Sequence, residues 1–241
     1  MSINIGTAGW TIPRQIADKF PSAGSSLERY AARFPVAEVN SSFHRPHRRS
    51  TWERWRDTVP LGFRFSVKVP KLITHQQKLV GSSEALDAFI EQASALGEKL
   101  AILLVQLPPK LAFDEALAAP FFEDLIARTP ARIVCEPRHS SWFEHSVDAF
   151  FSDLEVARVA ADPAICEAAA MPGGWSEMSY TRLHGSPVMY RSSYADRIDG
   201  YAARLEQEFA QGREVWCIFD NTASSAAASD ALALDEAIRP S

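Results

Sequence analysis

Eight short apolar runs recur along this chain at intervals of roughly thirty residues, and a segment with helical periodicity follows each of them. The runs are residues 3–10, 36–40, 63–69, 100–107, 132–137, 156–162, 178–184 and 215–221. A strand-then-helix unit repeated eight times is typical of a TIM-type (β/α)8 barrel, in which eight parallel strands are surrounded by helices. Such barrels keep their functional residues at the C-terminal strand ends, so the sequence predicts where a site lies.

Length and composition fit one such unit. The chain has 241 residues, of which 46% are hydrophobic, enough to cover a parallel sheet on both faces. We therefore predict a single barrel domain over residues 1–241. No basic segment leads into an apolar stretch near the N-terminus, and no apolar run reaches the roughly 18 residues of a membrane span. We expect neither export nor a membrane partner.

The cysteines indicate the compartment. Cys135, Cys166 and Cys217 are odd in number and lack CxxC spacing, and Cys135 and Cys217 lie in predicted strands. We interpret them as free thiols rather than as redox or zinc ligands, which predicts a reducing cytoplasm.

Ser-x-x-Glu spacing predicts three helix starts, because the serine and glutamate side chains there satisfy each other's backbone donors. The pairs are Ser25 and Glu28, Ser50 and Glu53, and Ser141 and Glu144. Apolar stripes at helical spacing predict helices over residues 27–34, 86–93 and 198–209. The fourth helix is interrupted by Pro120, and the sixth, over residues 164–170, is short and small-sided.

Strand side chains alternate between the barrel interior and the helices. The helix-facing positions of the third strand are Phe63, Phe65, Val67 and Val69. By the same test these polar residues point inward: Glu38, Asn40, Arg64, Ser66, Lys68, Gln106, Glu136, Arg138, Arg158, Asp162, Arg182, His184 and Asp220. We expect Arg64 and Arg158, which lie deeper, to pair with Glu38 or other carboxylates, because an unpaired buried charge is costly.

Some of these residues have a structural alternative. Asp162 precedes Pro163 and fits a helix N-cap, and Asp220, Asn221 or Thr222 fits the cap of the last helix. Four aromatic residues near the mouth either stack on a ligand or pack as a rim, namely Trp10, Phe43, Trp142 and Tyr190.

Three segments at the C-terminal face contain no acidic residue, although the net charge of the chain is −5. They are residues 39–52, 69–83 and 183–195, which we interpret as loops, and each holds arginine or lysine. A basic mouth on an acidic protein attracts anions, because the local field guides the ligand.

The strand ends also carry six ordered motifs, at Gly6–Trp10, Glu38–Phe43, Phe63–Pro70, Glu136–Trp142, Arg182–Gly185 and Phe219–Thr222. Together they resemble the YecE-like family, domain of unknown function 72, over nearly the whole chain. The resemblance implies a TIM-type barrel and no particular reaction. Members often have Tyr after an Asn-Ser-Ser-Phe-like segment, where this chain has Phe43 and His44, so we assign no phenol role there.

At the level of fold, the pattern is also similar to xylose-isomerase-like enzymes, which place acid, acid, histidine and acid ligands on strands five to eight. The matching residues are Glu136, Asp162, His184 and Asp220. Such a set suits Mn²⁺ or Mg²⁺. Neighbouring cations already compensate these carboxylates, so we assign no cofactor and keep a divalent metal as an alternative.

The residues favour an enzyme that acts on a small anionic or phosphorylated, sugar-like substrate by acid/base chemistry, as an isomerase or a hydrolase. We assign proton transfer to Glu136, His184 and Asp220. The residues expected to bind substrate are Asn40, Lys68, Gln106, Arg138, Asp162, Arg182 and Asn221.

Other interpretations stay open. One is a nucleic-acid-binding protein or phosphodiesterase that uses the basic mouth for phosphates, and another is a non-catalytic metabolite-binding barrel. A third account makes the cations part of an internal ion network. In it, Lys68, Arg138 and Arg182 are neutralised by the inward carboxylates and do not meet a ligand.

Overall fold

The computed structural model describes residues 3–239, so four residues of the predicted domain, 1–2 and 240–241, lie outside it. Its strands are β1 (Ile3–Ala8), β2 (Val36–Val39), β3 (Arg64–Lys68), β4 (Leu100–Gln106), β5 (Arg132–Glu136), β6 (Val156–Arg158), β7 (Ala160–Asp162), β8 (Gly173–Gly174), β9 (Met178–Leu183) and β10 (Glu214–Phe219). They form one sheet in the order β7-β9-β10-β1-β2-β3-β4-β5-β6-β8. Pairing is parallel except between β6 and β8.

The sheet is a nearly closed barrel. Strands β6 and β7 lie towards opposite ends of the strand order, yet only Val159 separates them along the chain. The backbone N–H of Val159 donates to the carbonyl of Cys135 at 2.8 Å, which keeps this connection in the wall of the sheet. The predicted sixth strand over 156–162 is therefore divided in two, and Gly173–Gly174 adds a short antiparallel strand beside β6.

Helices surround the barrel. The α-helices are α1 (Ser26–Ala31), α2 (Ser41–His44), α3 (Arg49–Thr58), α4 (Ser83–Ala93), α5 (Glu115–Ala127), α6 (His145–Asp153), α7 (Ile198–Ala210) and α8 (Ala227–Ile238). Shorter 3₁₀ segments lie at Arg14–Lys19, Ser94–Lys99, Ser140–Phe143, Glu167–Ala170 and Thr222–Ser224, and one π-helical turn at Leu72–Gln76.

One of the three predicted capping boxes forms. Ser25 accepts from the backbone of Glu28 and donates its own backbone N–H to that carboxylate, and α1 begins directly after it. The prediction at Ser50 is wrong, because Ser50 lies inside α3, which begins at Arg49 without a side-chain cap. The prediction at Ser141 is also wrong. Its hydroxyl accepts from the backbone of Phe113, and Ser141 itself lies in the 3₁₀ segment that precedes α6.

The helix interiors follow the apolar stripes. Leu86, Phe89 and Ala93 are buried along α4, and the predicted stripe of α7 is likewise buried except at its end, Phe209. Pro120 does not interrupt its helix. It lies in the N-terminal half of α5, where its missing N–H removes one hydrogen bond. The short helix predicted over residues 164–170 is observed only as the 3₁₀ segment Glu167–Ala170.

Two apolar layers enclose the strands. The outer layer, between strands and helices, takes up the third-strand residues predicted to face helices, Phe63, Phe65, Val67 and Val69. The inner layer fills the lower part of the barrel interior, with Ile102, Val134, Ala157, Val159, Met178, Tyr180 and Trp216 among its members. Below this layer, Arg132 and Glu214 form an ion pair at the N-terminal strand ends. A larger group of charged side chains lies above the layer, towards the C-terminal strand ends.

The two deep arginines each depart from the prediction in one respect. Ala157 of β6 and Val159, directly after it, belong to the inner layer, so Arg158 between them faces the helices, and it pairs with Asp148 of α6 at 2.7 Å. Its pairing with a carboxylate is confirmed, although the direction was wrong. Arg64 opens β3 beside the inner-layer residue Val36, which agrees with its predicted inward direction. It donates to the carbonyls of Leu61 and Phe63 at the lower rim, and among the described residues it pairs with no carboxylate, so that part of the prediction is wrong.

In the described residues, none of the helices has the length and apolar character needed to cross a membrane. Cys135 and Cys217 are buried free thiols, as predicted, and Cys166 is a half-buried free thiol. No disulfide therefore constrains the barrel among these three residues.

Candidate functional site

Strand β9 carries a ladder of inward side chains that changes from apolar to charged. Met178 and Tyr180 belong to the inner apolar layer, with the Tyr180 ring stacked on Trp216 at 6.1 Å. Arg182 is the next inward residue, and His184 follows at the end of the strand. Both are completely buried. The alternation of one strand thus places an arginine and a histidine on the barrel axis, directly above the apolar layer.

Arg182 is held by three carboxylates. Its Nε and Nη2 donate to the two oxygens of Glu38 at 2.9 and 2.7 Å, a bidentate pair. Its Nη1 donates to Glu136, and its Nη2 also reaches Asp220 at 3.0 Å. The Tyr180 hydroxyl lies 2.8 Å from Glu38 and donates to it. We call Arg182, Glu38, Glu136, Asp220 and Tyr180 the Arg182 cluster.

His184 joins the top of this cluster. Its Nδ1 lies 2.9 Å from Asp220, and its Nε2 lies 3.2 Å from Glu136 and 2.9 Å from Nη2 of Arg138. A neutral ring with hydrogen on Nδ1 donates to Asp220 and accepts from Arg138. A proton on Nε2 would instead face the Arg138 guanidinium, which can only donate, so this geometry fits the ring with its hydrogen on Nδ1.

The electrostatics follow from these pairs. Burial alone would raise the pKa of the Glu136 carboxyl, but Arg182, Arg138 and His184 hold it well below its ordinary value. The pKa of Asp220 is lowered in the same way, against burial, mainly by Arg182 and by its hydrogen bond to His184. Burial would lower the pKa of Arg182, but Glu38, Glu136 and Asp220 raise it well above its ordinary value.

Lys68, at the end of β3, has a different environment. It is 8% exposed, its Nζ lies 4.1 Å from the centroid of the Phe43 ring, and within residues 3–239 it forms no ion pair. Burial and then the repulsion of Arg182 lower its pKa to about 8, although Glu136, Glu38 and Asp220 act in the opposite direction. Lys68 is therefore a nearly buried cation whose charge is only partly matched.

Three further predicted residues border the cluster. Arg138 pairs with Glu136 and keeps 13% of its side chain exposed. Gln106 donates to Glu136 at 3.2 Å, and Asn40 donates to Asp220 at 3.3 Å. The Asn40 side-chain oxygen has no hydrogen-bond partner in the part of the chain that the structure describes. The structure thus brings these polar groups together at the C-terminal mouth.

The aromatic residues near the mouth divide into two kinds. Trp142 is buried against Phe113, and Trp10 packs edge-on against Trp55, so these two belong to the packed wall. Phe43 and Tyr190 lie at the charged groups instead. The Tyr190 ring is 41% exposed and meets the His184 ring edge-on at 5.9 Å. It partly covers the imidazole from the solvent side.

Asp162 does not join the cluster. Its carboxylate accepts from Tyr201 at 2.6 Å, from Tyr194 at 3.2 Å and from Arg197 at 3.0 Å. The inward direction predicted for it is wrong, since these partners follow β9 outside the barrel axis. The capping alternative is also wrong, because no helix starts at Pro163.

Asn221 is buried but also lies apart from the charged groups. It donates to Asp230 at 2.6 Å and to the carbonyl of Ser192 at 3.0 Å. Asp230 in turn accepts from Ser193 and from the backbone of Tyr194. These bonds tie the segment after β9 to α8. The last helix begins at Ala227, so neither Asn221 nor its neighbours cap it.

The four residues of the metal alternative do not form one ligand set. Among the described residues, no group of three or more His, Cys, Asp or Glu side chains has an arrangement that fits a metal ion. Glu136, His184 and Asp220 are engaged with Arg182 or Arg138, and Asp162 lies elsewhere. The donor atoms present therefore suit proton and ion-pair chemistry better than cation coordination.

The three acid-free segments do follow the C-terminal ends of β2, β3 and β9. They are not simple loops, since the first contains α2 and the second the π-helical turn. Arg45, Arg48, Lys71, Lys78 and Arg191 are exposed along them. Arg49 is instead paired with Glu53 of its own helix at 3.0 Å.

Sequence reasoning missed some residues. Tyr180 has a local signal, because it lies two positions before Arg182 and must share its face. Tyr194 and Asp230 have none, since they are 36 residues apart and meet only in the folded chain.

The fold and the site define a nearly closed α/β barrel with a buried charge cluster at the C-terminal strand ends. The chain belongs to the family described as "Protein of unknown function DUF72", whose model matches residues 4–241.

Two curated relatives match part of the chain. The Escherichia coli K12 protein UPF0759 YecE is 29% identical over 106 residues, which are 44% of this chain and 38% of YecE. The Bacillus subtilis 168 protein UPF0759 YunF is 29% identical over 113 residues, or 44% of this chain and 40% of YunF. The matched segments thus span well under half of either relative.

A solved structure extends the likeness to the whole chain. The crystal structure of a DUF72 family protein from Enterococcus faecalis V583 has a TM-score of 0.82 at 20% identity, covering 100% of this chain and 96% of that one. At this identity the likeness shows a common fold.

Proposed function

We propose that this chain is an enzyme that binds a small anionic, sugar-like molecule at the C-terminal mouth and moves protons on it. The observation that carries the proposal is Lys68, a nearly buried cation without an ion pair in the described residues. An anion seated there would supply the missing charge. It would do so in a place with little water, where such an interaction is strong.

The anion contacts are Lys68 and Arg138, which both reach the mouth. Arg182 is a positioning residue in this proposal. Its guanidinium is fully buried and already donates to Glu38, Glu136 and Asp220, so it orients carboxylates and does not hold substrate. Asn40 and Gln106, beside these groups, offer polar atoms for the hydroxyls of a sugar-like molecule.

Asp220 is the group placed to exchange a proton with a bound molecule. Its side chain is 11% exposed, whereas those of Glu136 and His184 are completely buried. His184 contacts both carboxylates and orients them. In this proposal Asp220 is catalytic, and its contacts with Arg182 and His184 hold its carboxyl in the charged form that accepts a proton.

Two broader interpretations belong to the same proposal. We infer that the barrel is of the eight-unit TIM type, with β6 and β7 as one sixth strand interrupted at Val159. The support is that a single residue separates them. We also place the protein in the reducing cytoplasm, which suits its free thiols.

Binding is tested with ribose 5-phosphate and with uncharged ribose, by thermal shift at low salt. A ligand of the native state raises the melting temperature, and only the phosphate should do so. Lys68→Met should remove the shift, whereas Lys110→Met, at an exposed lysine elsewhere on the C-terminal face, should retain it. An equal response of both variants to the phosphate, or none in the parent protein, contradicts the proposed anion site.

Turnover is tested by incubating aldose and ketose phosphates with the protein in D₂O and following the carbon-bound protons by NMR. Proton transfer next to a carbonyl exchanges a proton for deuterium, and a hydrolase would instead release inorganic phosphate. Binding without either change would identify a metabolite-binding barrel. Binding of a mixed-sequence oligonucleotide that weakens steeply with salt, with no response to sugar phosphates, would favour the nucleic-acid interpretation.

A further inference from the structure

A second concave site lies beside the mouth and outside the Arg182 cluster. It is a cavity of about 440 Å³ between the segment after β2, the π-helical turn after β3, and helix α4. This volume is within the range of cavities that bind small molecules. None of the residues of the Arg182 cluster lines it.

The walls of this cavity are mainly apolar. Phe43, Trp52, Ile73 and Phe89 contribute aromatic and aliphatic surface, and Ala88 leaves room on the α4 side. Leu72, at the edge, is 48% exposed although it is a large apolar residue. A concave apolar surface of this kind is typical of sites for the hydrophobic part of a ligand.

The charge around the cavity has one sign. The residues that line it include Arg45 and Lys71, and none of them is an aspartate or a glutamate. His47 also lines the cavity, but burial and then the nearby Arg45 lower its pKa, so the ring is neutral at pH 7. The positive charge therefore comes from Arg45 and Lys71, which are both exposed at the rim.

Phe43 separates the cavity from the mouth. It lines the cavity, and its ring is also in contact with the Lys68 ammonium group. The rings of His44 and His75 lie against Phe43 at 5.0 Å each. The cavity and the mouth thus share a wall, but the cations that face them are different.

We propose that this cavity binds an amphiphilic organic anion, with an apolar body against Phe43, Trp52 and Phe89 and an anionic head between Arg45 and Lys71. Apolar walls select the body, and the acid-free cationic rim selects the charge of the head. This site does not depend on the proposed enzymatic function, because its residues differ from those assigned to catalysis and anion binding there.

Two fluorescent probes test both parts of the proposal. The probe 8-anilinonaphthalene-1-sulfonate has an aromatic body and a sulfonate head, and N-phenyl-1-naphthylamine has the same ring system without the sulfonate. The folded protein should bind the sulfonate at one saturable site. It should bind the uncharged probe more weakly, because the uncharged probe gains nothing from the rim.

The variants locate the site. Ala88→Trp fills the cavity from an exposed position of α4 and should abolish saturable binding, whereas Ala203→Trp, at an exposed position of α7, should leave it unchanged. Arg45→Gln together with Lys71→Gln should weaken binding of the sulfonate by about three- to tenfold, since each exposed ion pair contributes modestly. The affinity of the same double variant for the uncharged probe should hardly differ from that of the parent protein.

Three outcomes would overturn the proposal. They are no saturable binding by the parent protein, unchanged binding in Ala88→Trp, or an equal response of both probes to the loss of Arg45 and Lys71. Near-ultraviolet circular dichroism checks that each variant keeps its native packing. If Ala88→Trp does not fold, the variant with both Arg45→Gln and Lys71→Gln still tests the proposal. Both of its substituted side chains are exposed, so we expect it to keep the native fold.

Discussion

Arg182 and Lys68 belong to the same barrel mouth but differ in how their charge is matched. Arg182, at the centre, is surrounded by Glu38, Glu136 and Asp220 and has no contact with solvent. Lys68, at the rim, faces the ring of Phe43 and has no ion pair in the described residues. The comparison separates two uses of a buried cation, one that holds the fold together and one that is available to a ligand.

The two environments have opposite energetic consequences. Removing Arg182 would leave buried carboxylates without their counterion, which costs far more than the pair itself contributes. Removing the charge of Lys68 would relieve a desolvation cost, which is visible in its lowered pKa. Substitutions at the two positions should therefore change stability in opposite directions.

The largest effect on stability is expected for Arg182→Met, which replaces the charged guanidinium by an apolar side chain of similar length. It should lower the free energy of unfolding by about 3–5 kcal/mol, because three carboxylates lose their shared partner. Urea unfolding at pH 7 measures this. The control is Arg54→Met at an exposed position of α3, where we expect little change. Equal losses in the two variants would show that Arg182 is no more structural than a surface arginine.

Lys68→Met should act in the opposite direction, with a pH dependence of its own. The Lys68 pKa of about 8 lies below the ordinary 10.5, so between these pH values the unfolded chain binds more protons than the native one. The parent protein should therefore gain stability as pH rises from 8 to 10.5.

The variant lacks this contribution, so below pH 8 it should be more stable than the parent, by up to about 3 kcal/mol. The difference between the two should shrink as pH rises. Urea unfolding of both proteins across this range measures it, and comparing them cancels other titrating groups. A constant difference across the range, or a variant less stable than the parent at pH 7, would mean that Lys68 carries a matched charge like Arg182.

A smaller effect is expected at the base of the Arg182 cluster. Tyr180→Phe removes the hydroxyl that bonds Glu38 and Ser66 at 2.8 Å each, which should cost about 1–3 kcal/mol because the buried partners lose a bond. The matched control is Tyr190→Phe, at the partly exposed ring beside His184. Thermal unfolding of both variants compares the interior with the rim. A loss confined to Tyr190→Phe would reverse the assignment of the two regions.

Alternation along the strands predicted the centre of the site. Lys68, Glu136, Arg182 and His184 were found in this way because polar residues interrupt apolar strands at every second position. Strand β6 gives no such signal. Alanine and valine there fit either face, and the contact that orients Arg158 is made with Asp148 of α6.

The environment of each residue was harder to infer than its direction. The sequence offered a substrate clamp and an ion network as alternatives for Lys68, Arg138 and Arg182. The structure assigns Arg182 to the network and leaves Lys68 outside it. Which carboxylate meets which cation depends on the relative heights of β2, β5, β9 and β10, and these are set by the pairing of the whole sheet.

The ladder on β9 has a consequence for how this strand tolerates change. Four successive inward positions hold the apolar layer, the hydroxyl, the guanidinium and the imidazole, so packing and chemistry depend on one register. Inserting or deleting a single residue before Arg182 would turn all the later side chains to the opposite face at once. A substitution therefore alters one position of this strand, whereas a change of its length alters every later position, and we expect insertions and deletions to be accepted only in the connections on either side of it.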